Sequence, residues 1–153
     1  MKNLSVTALV KASPSDGWFD YPTRVYPHHT DYSGVVWHGT YLQWMETARV
    51  ECLRAAGFSF EEVVASGVDL PVVEINIRYL RSAKMGDDIL VRTRLLPEKL
   101  RLVWEYEIRT PEELCITATV TLVPVDLEKR KVLRALPPSL EGAIAHLTAW
   151  NPR

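Results

Sequence analysis

The chain has 153 residues, of which 47% are apolar and 24% charged, with a formal net charge of −1. This length fits a single domain with its own core. The near-neutral balance argues against nucleic acid as the main partner, because a phosphate-binding surface leaves a basic excess. No run approaches the roughly 18 uninterrupted apolar residues of a membrane-spanning helix.

The first ten residues, MKNLSVTALV, are too short and too weakly apolar for a secretory signal with its cleavage site. They and the linker-like KASPSDG (11–17) form an expected loose N-terminal segment, 1–17, ahead of one domain over 18–153. WFDYPTRVY (18–26) has strand-like content, and Pro22 demotes it to an edge or interrupted strand. From Gly39 to Ala56 small and apolar residues fall at helical spacing: Tyr41, Leu42, Met45, Ala48, Cys52, Leu53 and Ala56. Gly57 is the natural stop. SFEE (59–62) has the pattern of a capping box, opening a short helix over about 60–66 that ends at Gly67.

From residue 72 the period becomes two. Val73, Ile75, Ile77 and Tyr79 alternate with polar residues, as do Ile89, Val91, Thr93 and Leu95. Leu102, Trp104, Tyr106 and Ile108 follow, then Leu114, Ile116, Ala118, Val120 and Leu122. This predicts an antiparallel meander with one buried face. MGDD (85–88), TPEE (110–113) and LEKRK (127–131) are turns, and KVLRAL is a short last strand. Beyond Pro137 and Pro138 a terminal helix turns Leu140, Ile144 and Leu147 inward. The class is α+β, with one dominant helix against one sheet.

Cys52 and Cys115 lie far apart without CxxC spacing, so a disulfide is not expected, and Cys52 fits a helix core position. A cytoplasmic location is the default expectation. The loop before the long helix, DYSGVVWHGTY (31–41), places a carboxylate at a helix mouth. Taken alone, Asp31 caps a turn through local hydrogen bonds. His28, His29, Asp31 and His38 raise the question of a metal. No metal is expected, since adjacent histidines in a strand point to opposite faces and no ligand spacing follows. Glu46 and Arg49 are expected to pair along the helix.

The run VYPHHTDYSGVVWHGTYLQWMETARVECLRAAG, with Asp31, Gly34, Val36, His38, Tyr41, Glu46, Ala48 and Arg49 on pattern, resembles the opening of hotdog-fold acyl-CoA thioesterases of the 4-hydroxybenzoyl-CoA type. PVVEINIRYLRSAKMGDDILVRTRL fits the second strand and turn of that family, so the resemblance covers about 20–135. Within it, the chain is similar to the 1,4-dihydroxy-2-naphthoyl-CoA thioesterases of the phylloquinone pathway in photosynthetic bacteria. The resemblance implies a five- or six-stranded antiparallel sheet wrapped around one long central helix. It also implies a homodimer or homotetramer, and CoA as part of the substrate with no separate cofactor.

The resemblance implies that Asp31 is nucleophile or general base and that the backbone amide of His38 is the oxyanion donor. Gly34 allows the tight turn, and Gly39 gives close access to backbone at the helix start. Trp37 and Tyr41 are expected to contact the substrate, and Trp37 and Trp44 are candidates to line an aromatic acyl pocket, although aromatic residues beside a core helix are more often just core. Lys99 and Arg101 lie at a turn similar to one that meets the nucleotide in some relatives, where solubilising charge at a hairpin is at least as good an explanation. An acid often stands two residues before the aspartate in such sequences; here it is His29.

Three readings follow. One is hydrolysis of an aromatic acyl-CoA through Asp31, with short- or medium-chain aliphatic acyl groups as the alternative. A second moves the chemistry to Glu46 or Glu51 on the helix. A third is a non-catalytic module that binds acyl carriers. Neither GxSxG nor a glycine-rich phosphate loop is present.

Overall fold

The computed structural model describes residues 17–149, so all of the expected N-terminal segment 1–17 except Gly17 lies outside them. Five antiparallel strands form the main sheet: β1 (Phe19–Arg24), β3 (Val72–Tyr79), β4 (Asp88–Leu96), β5 (Leu102–Arg109) and β6 (Leu114–Leu122). Their order is β1-β4-β5-β6-β3. A second, two-stranded ladder pairs β2 (Val68–Asp69) with β7 (Val125–Asp126). The helices are α1 (Thr40–Ala55), α2 (Phe60–Ala65) and α3 (Pro138–Ala149).

The alternation in β4 and β5 is realised in the packing. Ile89, Val91, Thr93 and Leu95 are buried, as are Leu102, Trp104, Tyr106 and Ile108. These side chains line the inner face of the sheet, where α1 lays Tyr41, Met45, Ala48, Cys52 and Leu53 against them. Each large apolar side chain buried in this way contributes about 1.5–3 kcal/mol. This is the hotdog arrangement: a sheet wrapped around one helix.

Several expectations are corrected. Leu42 faces solvent, while Trp44 and Arg49 are buried in its place. Arg49 does not pair with Glu46; its Nη1 donates to the Tyr106 hydroxyl at 3.0 Å, which in turn donates to the Met45 carbonyl at 3.1 Å. KVLRAL forms only an isolated bridge, Val125 with Val132. At Ser59 the forward half of the cap exists, the hydroxyl accepting from the Glu62 amide at 3.2 Å. His28 and His29 lie in a 3-10 turn, not a strand, with ring centroids 4.0 Å apart.

The largest departure concerns β3. It alternates as expected, but of its apolar face only Ile77 packs against the core, while Val73 is 52%, Ile75 44% and Tyr79 50% exposed. The cause is topological. After β3 the chain crosses over through 80–87, and β4 enters between β1 and β5, which leaves β3 paired with β6 at the sheet edge.

Candidate active site

The loop from 29 to 40 is built by backbone. The His29 carbonyl accepts from the Trp37 amide at 3.0 Å and from the Thr40 hydroxyl at 2.9 Å, closing the loop onto the start of α1. Asp31 N–H donates to the Val35 carbonyl, and Gly34 N–H donates to the Asp31 carbonyl. Gly34 has φ +81°, a left-handed turn that a side chain would strain. Val36 N–H donates to Ala83, and Met85 N–H to Gly34, so the loop is stitched to the β3–β4 crossover.

The result is a cleft of about 420 Å³ walled by Asp31, Val36, His38 and Tyr41 on one side and Tyr79 to Ser82 on the other. One carboxylate oxygen of Asp31 accepts from the Ser33 amide at 2.9 Å. The local turn bond and the place on the cleft wall therefore coexist. At the helix start, Gly39 is the N-cap and supplies no side chain to bond the free amides. The His38 amide has no acceptor among the described residues. Uncapped amides at a helix N-terminus carry partial positive charge and favour an anion.

Tyr41 is buried and reaches across the cleft, its hydroxyl accepting from the Ala83 amide at 3.3 Å. Burial pushes its phenol up from the ordinary value. Tyr79 stands edge-on to it, ring centroids 5.8 Å apart, and donates to the His38 carbonyl at 3.1 Å. That bond pins the peptide following His38. Sequence reasoning missed Tyr79, Leu80, Arg81 and Ser82. The signal was the end of the β3 alternation at YLRS, but only the crossover brings it to Asp31.

Other expected site residues lie elsewhere. Trp37 does not wall the cleft; its indole lies over Gly39, where an added Cβ would collide with the ring. Access to that backbone therefore requires the ring to move. Lys99 and Arg101 sit in the β4–β5 turn, beside the strand ends where Leu102 aligns with Leu122 and Val72. The cleft adjoins the other end of β3, roughly 25 Å away for eight extended residues. Lys99 and Arg101 do not line the cleft. Arg81 is instead the basic side chain on the cleft itself.

Glu46 and Glu51 are not on the cleft wall. Cys52 and Cys115 are both buried and unbridged, and burial raises both thiols. Among the described residues no three His, Cys, Asp or Glu side chains gather as a metal would require, and no helix is long and apolar enough to cross a membrane.

The sequence pattern of the Thioesterase-like superfamily matches residues 25–144. The chain is 47% identical over 136 residues to the protein sll0410 of Synechocystis sp., covering 87% of this chain and 82% of that one. It is 34% identical over 134 residues to the acyl-CoA thioesterase YbgC of Haemophilus influenzae, covering 86% and 98%. In three dimensions it resembles the crystal structure of Slr0204, a 1,4-dihydroxy-2-naphthoyl-CoA thioesterase from Synechocystis. The TM-score is 0.76 at 30% identity, over 84% of this chain and 96% of that one. With a match spanning most of its length and the sheet wrapped around α1, this chain belongs to the thioesterase-like superfamily of hotdog proteins.

Proposed function

We propose that the chain hydrolyses acyl-CoA thioesters to free acid and CoA at the cleft beside Asp31. The observation that carries this is the opening of an uncapped helix start onto the same cleft as a carboxylate. Asp31 attacks the thioester carbonyl or activates water, and the His38 amide receives the oxyanion. The bond from Tyr79 keeps the helix-start backbone from rotating during the reaction. Arg81 supplies positive charge for the anionic CoA.

For the acyl group we put an aromatic ring first, of the 1,4-dihydroxy-2-naphthoyl class. Tyr79, half-exposed on the cleft with the Tyr41 ring packed behind it, gives a flat acyl group an aromatic wall, and the likeness to Slr0204 supports the same choice. Short- and medium-chain aliphatic groups are the competing substrates.

The active unit in this reading is a dimer, or a tetramer built from two such dimers, joined through β3. Its exposed Val73, Ile75 and Tyr79 and its unpaired edge fit a second copy, which would also close the cleft at the Tyr79 end. The test is a thiol-release assay with benzoyl-, naphthoyl- and straight-chain acyl-CoAs. Turnover that is fastest on aromatic thioesters and lost in Asp31→Asn is expected. Tight acyl-CoA binding without thiol release would instead identify a non-catalytic binding module.

A further inference from the structure

A second cavity lies under the later half of α1, enclosed by the sheet, α2 and α3, with a volume of about 290 Å³. It is not part of the Asp31 cleft: the two share no lining residue. Its walls are mainly apolar, formed by side chains such as Leu53, Leu95, Leu122 and Leu140. One wall carries Arg49, which is 8% exposed.

A guanidinium has five N–H donors. One nitrogen of Arg49 is used, Nη1 on the Tyr106 hydroxyl. No other hydrogen bond and no carboxylate within ion-pair distance meets Arg49 among the described residues. Nor are its other nitrogens sealed into protein: the sole fully buried, unbonded side-chain oxygen or nitrogen among those residues is Thr93 Oγ1. The unbonded nitrogens thus keep accessible surface, on a side chain that lines the cavity. A buried cation without an anion is costly, and a carboxylate arriving in a bidentate pair offsets that cost.

We propose that this cavity is a second binding site, for one apolar carboxylate of the medium-chain fatty acid class, with its head on Arg49 and its tail among the leucines. The site is independent of the thioester chemistry at Asp31. Its volume is at the small end of ligand pockets, which excludes a CoA ester and admits a single chain. Glu46, exposed at the rim one turn before Arg49, is the charge an entering anion must pass.

Calorimetric titration of the full chain with sodium decanoate tests this, with decanol as the uncharged match. One decanoate per chain is expected, with decanol about tenfold weaker or more, because the charge-assisted bonds are lost. Arg49→Met should weaken decanoate by a similar factor. Ile144→Trp, which fills the cavity from α3 and leaves Arg49 intact, should weaken both ligands. Glu46→Gln should tighten decanoate, and Asp31→Asn should leave it unchanged. Should Arg49→Met fail to fold, Ile144→Trp and the decanol comparison decide. The proposal is overturned by the absence of saturable decanoate binding, which would leave water as the occupant. It is equally overturned if decanoate binding survives Ile144→Trp or disappears in Asp31→Asn, which would place the acid in the thioester cleft.

Discussion

The two ends of α1 handle polar groups in opposite ways. At its start, backbone amides lack a side-chain cap and open onto an exposed carboxylate in a loop held by main-chain bonds. In its later half, a buried guanidinium is tied to the Tyr106 hydroxyl, and that hydroxyl to the backbone carbonyl of Met45. The first arrangement leaves main-chain amides open beside the carboxylate proposed to react. The second ties helix to sheet through one guanidinium nitrogen. The difference teaches that the same buried rod can serve reaction at one end and cohesion at the other, because only the first end meets the crossover that follows β3.

The sharpest way to break this contrast is Asp31→Asn. The expected loss in kcat is about a hundred- to ten-thousandfold, the range for removing a general base. Tm should stay within a degree or two, since amide oxygen can still accept from the Ser33 amide. A Glu46→Gln enzyme should keep its kcat. If Glu46→Gln alone abolishes thiol release, the chemistry belongs on the helix and the Asp31 reading fails.

At the other end, Tyr106→Phe removes the hydroxyl that Arg49 and Met45 share. Unfolding in urea should show a loss of about 1–3 kcal/mol, the cost of leaving buried polar groups unpaired. The kcat of the folded enzyme should not move. A matching fall in kcat would show that the two ends of α1 are coupled, and the contrast would dissolve.

Much of this was legible in the chain. The helical spacing of α1, Gly57 as its stop and the alternation of β4, β5 and β6 are local patterns, and local patterns survive folding. Gly57 indeed has φ +89°. What the sequence hid depends on strand order. Val73, Ile75 and Tyr79 alternate like core residues, yet they lie on an edge, because pairing partners are not encoded in periodicity. The cleft wall from Tyr79 to Ser82 was hidden for the same reason. Arg49 was misjudged because a charged residue three positions after Glu46 has a cheaper local explanation than burial, and only the position of Tyr106 across the sheet overrides it. Motif spacing points to Asp31, but which groups share its cleft depends on the crossover.

Arg81→Ala sharpens the contrast more mildly. The side chain is 67% exposed and its contact with Glu113, 3.9 Å, is loose. An exposed charge of this kind is worth about 0.2–1 kcal/mol, so KM for acyl-CoA should rise by a factor of about 1.4 to 5 with kcat unchanged. The effect should fade in high salt. Lys99→Ala measured beside it separates the cleft of one chain from a contribution across subunits: a larger KM effect at Lys99 would place the nucleotide on a neighbouring copy.

The smallest expected effect concerns acid. His29 Nδ1 accepts from the Tyr26 amide at 2.9 Å, and its ring stands edge-on to buried Trp44 at 5.2 Å. Partial burial and the neighbouring His28 lower its pKa, outweighing a backbone contact that raises it. Protonating Nδ1 would set one donor against another. A base whose folded pKa lies below its unfolded value binds its proton more readily unfolded. Stability is therefore fully present above about 6.5, the unfolded value, and falls with pH until the folded pKa is passed. Since the His29 carbonyl closes the loop onto Trp37 and Thr40, the loss should show at that end first. Amide exchange compared at pH 7.5 and 5.5 should speed up across 29–40 and stay slow in the second half of α1. Uniform acceleration along α1 would mean that the two ends do not open separately, and His29→Gln should flatten whatever pH dependence the loop shows.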